Sequence, residues 1–206
     1  MRITLFGTRD SVYTRIVRLV LNAKSLDYNF VAADIFTGDG LPKDYARLHP
    51  FKRIPAIEVD GRAFYETDAI AHYLDQIGPE PTLVPVDAVS AARMRQIMRV
   101  VDSYGFRPLV WGVYVPLWWR EGKQPREGDL AAGRRVLAAL DDLAAEGLSG
   151  SRPTLAWYYL AAVLAVTDSV EPGTTLIDGA PALRSWWNSF RGTPAMVTTR
   201  PNESHY

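Results

Sequence analysis

The chain has 206 residues, with 23 Lys and Arg against 23 Asp and Glu, three His and no Cys. A net charge of zero and a pI near 6.8 lack the basic excess that neutralises a phosphate backbone, which argues against a nucleic-acid partner. Zero cysteine excludes disulfides, Cys-ligated metals and any mechanism in which the protein itself supplies a thiolate.

The longest apolar stretches, around residues 109–119 and 155–166, fall short of the ~18–20 residues of a membrane span. No signal-peptide pattern follows Met1, so a soluble, cytoplasmic chain is expected. Arg2 to Phe6 alternates polar and apolar and stops at Gly7, which predicts a half-buried strand. From Ser11 the period changes: Ile16, Leu19, Val20 and Ala23 share one helical face. A strand over residues 28–33, a Gly-rich loop and a short helix opened by Pro42 come next. Asp60-Gly61 between two apolar runs predicts a hairpin of residues 56–59 and 62–65, and Thr67 opens a helix to about Gln76. The order βαβαββα around a mixed four-stranded sheet is the thioredoxin-like arrangement, expected over residues 1–77.

Residues 78–88 are Pro-rich and without period, a linker. From 89 to 206 only helical patterns occur, so the second domain is predicted to be all-α. One long helix runs from Ser90 to about Trp119 with a bend near Pro108. Leu130, Leu137, Leu140 and Leu143 mark a second helix, Thr154–Val166 an apolar central third, and Pro181–Phe190 a fourth.

Three junctions in the first domain could carry chemistry. Ser11 stands where a strand meets a helix, whose N-terminal N–H groups favour an anion such as a bound thiolate; the plain alternative is that Ser11 or Asp10 is only an N-cap. Ile54-Pro55 precedes a strand, and a cis bond there would turn Ile54 N–H and C=O toward a ligand, against an ordinary trans turn. Glu66-Thr67 opens the next helix and suits the ammonium and carboxylate of an amino acid, against simple capping.

Ser11-x-x-x-Arg15-x-Val17, His49-Pro-Phe-Lys-Arg-Ile-Pro55-Ala and Tyr65-Glu-Thr-Asp-Ala-Ile-Ala-His-Tyr-Leu74, with a linker and a helical domain after them, resemble glutathione transferases over essentially the whole chain. The serine and the Pro-Phe-Lys-Arg-Ile-Pro run are most similar to theta-like and related bacterial enzymes. The resemblance implies glutathione as cosubstrate, a homodimer, no metal, and conjugation to small hydrophobic electrophiles. It implies that Ser11 stabilises the thiolate, with Tyr13 as a rival hydroxyl. Ile54 would bond the cysteinyl unit through its backbone beside cis Pro55, Glu66 and Thr67 would hold the γ-glutamyl end, and Arg53 would lie near the glycyl end. Gly40 stands where theta-like enzymes carry a histidine, so Lys43 or Lys52 is expected to substitute.

Tyr104, Phe106, Trp111, Tyr114, Trp118 and Trp119 are the candidate lining for the electrophile, against the plain alternative of core or dimer-contact residues. Thr154-Leu-Ala-Trp157 lacks the acid of a capping box at the third helix. His49, His72 and His205 show no metal-ligand spacing and are expected to be solvated or capping. Two other readings stand beside conjugation: a catalytically silent docking module, and a glutathione-dependent peroxidase or isomerase.

Overall fold

The structure is a computed structural model in which residues 1–37, 39–118, 123–148 and 152–201 are described, with only the backbone for 145–147. Trp119 and His205 lie outside the described residues. The chain forms two compact units, Met1–Thr82 with Pro194–Tyr206, and Leu83–Thr193.

In the first unit β1 (Ile3–Gly7), β2 (Asn29–Ala32), β3 (Ala56–Val59) and β4 (Arg62–Tyr65) form one sheet in the order β2-β1-β3-β4. The β1–β2 pair is parallel and the β3–β4 hairpin antiparallel, as the sequence pattern predicts, and β1 pairs antiparallel with β3. Alternate residues of β1 are buried, the period-2 signature of a strand with one face inward. Asp60 and Gly61 both take positive φ, +47° and +83°, the geometry a tight hairpin turn requires. Helices α1 (Val12–Ala23) and α2 (Thr67–Ile77) pack on each other. The helix expected at Pro42 is instead a single 3₁₀ turn, Tyr45–Arg47, because Asp44 in the left-handed region (φ +59°) separates it from the proline.

The predicted linker is anchored rather than loose. Lys24 Nζ donates to Asp75 Oδ1 at 3.0 Å and to the Pro81 carbonyl at 2.9 Å, and Thr82 Oγ1 donates to Asp75 Oδ2 at 2.9 Å. A Cβ at Gly78 would stand 2.7 Å from Lys24 Cε, so the glycine makes room for the lysine stem.

The second unit is helical: α3 (Ala88–Val100), α4 (Val115–Trp118), α5 (Glu127–Gly147), α6 (Leu155–Thr167), α7 (Gly173–Asp178) and α8 (Pro181–Phe190). Between α3 and α4, Val101–Tyr114 is wound as a π-helix, with Val115 N–H bonding the carbonyl five residues back. Proline lacks an N–H and crowds the preceding turn, and Pro108 stands inside this wider winding. Nearly every side chain of α6 is buried, in keeping with its expected central course.

The Thr154 side chain makes no cap bond at α6 and its Oγ1 is buried without a hydrogen-bond partner. In place of a box acid, Trp157 packs edge-on against Trp186 and Phe190 of α8, each at 5.5 Å. At the other end of α6, Asp168 accepts from Arg184 Nη1 and Trp187 Nε1, both at 2.8 Å, and from Arg191 at 3.2 Å.

The helical unit stops at Thr193 instead of running to the chain end. Helix α9 (Pro194–Thr198) belongs to the first unit and packs on α1, because Arg15 and Arg18 bond backbone carbonyls of α9 and of the residue after it.

Candidate functional site

The strand register gathers the candidate residues. Phe6 at the end of β1 faces Ala56 at the start of β3, and Ala56 faces Tyr65 at the end of β4. On the other side of β1, Gly7 is in register with Ala32, the last residue of β2. The β1–α1 turn, the Ile54-Pro55 segment, the β4–α2 turn and the loop leaving β2 therefore all emerge at one end of the sheet. That end is where α/β sheets hold ligands, at the carboxyl ends of the parallel strands.

Ser11 is the N-cap of α1, with extended backbone and its Oγ accepting from Thr14 N–H at 3.2 Å. The capping alternative is thus realised, and it is compatible with chemistry. One lone pair serves the cap while the O–H stays a donor. The side chain is half-buried, as is that of Tyr13.

The Ile54–Pro55 peptide is cis. Ile54 is half-buried and Pro55 buried, directly before the first ladder pair of β3. The Tyr45 hydroxyl donates to the Arg53 carbonyl at 2.8 Å, and burial pushes that phenol's pKa well above its ordinary value. Lys43, Lys52 and Arg53 are all exposed, Lys52 with φ +51°.

Glu66 has φ +69° and ψ 117° and is exposed. This backbone region costs a non-glycine residue about 1–3 kcal/mol. Its carboxylate does not cap α2, which keeps both the acid and the first N–H groups of the helix available to a ligand. Thr67 is buried at the first position of α2.

Gly40 has a steric reason. A Cβ there would lie 2.1 Å from Thr37 Oγ1 and 2.5 Å from the Asp34 carbonyl, while Asp34 N–H bonds Gly40 C=O at 2.8 Å. No histidine fits at this position without reshaping the loop.

His49 corrects the expectation of a solvated or capping histidine: it is 2% exposed. Its ring lies 4.8 Å from Tyr65 and 6.2 Å from Phe51. Burial holds its pKa below the ordinary imidazole value, Glu66 opposing the shift and Arg53 adding to it. Tyr45 and His49 touch the segments that carry the candidate residues, through the Arg53 carbonyl and the Tyr65 ring, and no periodicity in the sequence singles them out. His72 pairs with Asp68 one turn away, at 3.6 Å.

In the second unit the described aromatic candidates all lie between Tyr104 and Trp118. Tyr114 is buried and stacks on half-exposed Trp118 at 5.4 Å. Trp111 is 40% exposed and Phe106 half-buried. Tyr104, 67% exposed, lines a groove of about 370 Å³ with Val100, Ala132, Arg135, Val136 and Ala139. Among the described residues, no helix is long and apolar enough to cross a membrane, and no three His, Cys, Asp or Glu stand as a metal site.

Residues 5–82 match the family model for the glutathione S-transferase N-terminal domain, and residues 123–187 that for the glutathione S-transferase C-terminal domain. The chain belongs to the glutathione transferase superfamily. It is 29% identical to glutathione S-transferase 3 of Zea mays over 205 residues, 95% of this chain and 91% of that one. It is 31% identical to probable maleylacetoacetate isomerase 1 of Drosophila melanogaster over 96 residues. That second match spans 45% of this chain and 39% of the Drosophila protein, so the chain covers less than half of that relative. A solved glutathione S-transferase III in apo form superposes with TM-score 0.80 at 27% identity, over 97% of this chain and 95% of that one.

Proposed function

We propose that the protein is a cytoplasmic, homodimeric glutathione transferase of the serine type that adds glutathione to small hydrophobic electrophiles. The observation that carries this reading is the ladder row Phe6, Ala56, Tyr65, which brings three candidate ligand segments to one sheet end. In this reading Ser11 donates its O–H to the glutathione thiolate beside the positive end of α1, which lowers the thiol pKa and enlarges the nucleophilic fraction at neutral pH. Ile54 bonds the cysteinyl backbone. Glu66 takes the γ-glutamyl ammonium and Thr67 its carboxylate. Arg53, Lys52 and Lys43 supply cations for the glycyl carboxylate. Tyr104, Trp111, Tyr114 and Trp118 offer apolar surface to the electrophile. Rate is gained from the thiolate fraction and from proximity.

The test is conjugation of a generic aryl halide by the parent protein and by Ser11→Ala. The variant is expected to lose about a hundredfold in turnover, as removal of one preorganised donor to a developing anion does, while still binding glutathione. Unchanged turnover would transfer the role to Tyr13. Absence of both glutathione binding and conjugation in the parent would favour the silent docking module.

A second reading, a glutathione-dependent isomerase, is supported by the relatives named maleylacetoacetate isomerase. An isomerase returns glutathione unchanged and a transferase consumes it, so monitoring free thiol during turnover separates the two. A hydroperoxide substrate run in parallel tests peroxidase activity.

A further inference from the structure

Helix α1 is buried on nearly all sides, including the face that carries Arg15 and Arg18, which are 5% and 3% exposed. Residues three apart share a helix face, and both guanidinium groups meet the last turn of α9 and the residue after it. Arg15 Nη2 donates to the Met196 carbonyl at 3.0 Å, and its Nε lies 3.5 Å from Thr199 Oγ1. Arg18 Nη1 donates to the Thr199 carbonyl at 2.8 Å, Nη2 to that of Thr198 at 3.3 Å, and Nε reaches the Tyr28 hydroxyl at 3.4 Å. The last carbonyls of a helix have no partner within it. Here two forked cations fill that need, and Thr199 Oγ1 is itself fixed by donating to Ala195 C=O at 2.8 Å.

Apolar residues could cover the same helix face without desolvating two cations. What they supply is direction: a planar fork fixes both the rotation and the axial position of the helix that bears it. Arg15 lies one turn beyond Ser11, and its N–H bonds the Ser11 carbonyl at 2.9 Å. Any slip of α1 against α9 is thus passed to the N-cap.

We infer that Arg15 and Arg18 are positioning residues, which through the α9 segment Pro194–Thr199 hold α1 so that Ser11 meets the glutathione thiol at the productive angle. The inference rests on the role proposed for Ser11. It predicts that activation of glutathione depends on a segment far along the chain from every residue that touches the ligand.

The experiment tracks the pH profile of aryl-halide conjugation and the ultraviolet absorbance of the bound thiolate, in the full chain. Arg18→Met and Arg15→Met are expected to move the apparent thiol pKa upward and to lower turnover near neutral pH by about tenfold, the effect of one pKa unit on the thiolate fraction, with glutathione still bound. Arg18→Lys keeps a charge and a donor in the same slot but not the fork, and should recover only part of that loss. Should Arg18→Met fail to fold, Arg18→Lys is read alone: a smaller displacement in the same direction supports the inference, and an unmoved profile overturns it. Lower melting temperatures with superimposable pH profiles would make the clamp merely structural and also overturn it. Ser11→Ala distinguishes the two failures. If it shifts the profile and the arginine variants do not, the clamp alone falls; if Ser11→Ala is silent, the reading of Ser11 falls and the clamp with it.

Discussion

The two units solve the problem of burial in opposite ways. Among the described residues, every buried polar or charged side chain except Thr167 belongs to the first unit: Thr14, Arg15, Arg18, Lys24, His49, Thr67, Asp75 and Thr199. The second unit is organised around α6, whose buried face is Leu, Ala, Val and Tyr. Its main polar cluster sits at the partly buried corner around Asp168. The helical unit draws its cohesion from area removed from water. The sheet unit spends desolvation energy to fix directions, which suits a region whose turns must present a ligand with atoms in set places.

That contrast can be broken by mutation. Lys24→Met leaves the Asp75 carboxylate buried without its cation, 3.0 Å away in the parent, and should cost about 3–5 kcal/mol in urea unfolding. A loss below about 1 kcal/mol, the scale of an exposed ion pair, would mean the first unit does not rely on its buried charges. Leu160→Ala in α6, 1% exposed in the parent, should cost about 2–5 kcal/mol through the cavity it leaves. A double mutant with Lys24→Met measures whether the two costs add.

The two helix starts give a finer version of the same comparison. Ser11→Ala removes a made cap bond and should lower stability by about 1 kcal/mol. Thr154→Ala removes a buried hydroxyl that caps nothing, so it should be neutral or slightly stabilising. Thermal melts of the two variants side by side decide this.

The smallest effect concerns His49. Its folded pKa lies below the ordinary 6.5, so the unfolded chain binds the proton more tightly. Stability is therefore intact above about pH 6.5 and declines as pH falls below it toward the depressed folded value. His49→Gln should flatten that part of the stability-against-pH curve; an unaltered slope would show that His49 does not titrate with unfolding.

Most of the first unit is legible in the sequence because its signals are local. Asp60-Gly61 fixes a hairpin, alternation marks β1, and Ser11 marks the start of α1. Once the strands are ordered, their register alone brings Ser11, Ile54 and Glu66 to one sheet end. The helix expected at Pro42 failed because one residue, Asp44, takes a left-handed conformation that Pro42 does not foretell. The clamp on α9 escaped because arginine on a helix normally reads as a solvated face, and three of its acceptors are the backbone carbonyls of Met196, Thr198 and Thr199, which no side-chain pattern can announce.

The position of α9 also bears on how the molecule comes into being. A chain made from its N-terminus offers its early segments the chance to fold first, and the sheet with α1 and α2 is complete once Thr82 has emerged. Arg15 and Arg18, however, meet their carbonyls only after the whole of Leu83–Thr193 and α9 have been made. The first unit to begin folding is thus the last to finish, and its two interior cations wait in a half-built site until the helical unit has been synthesised.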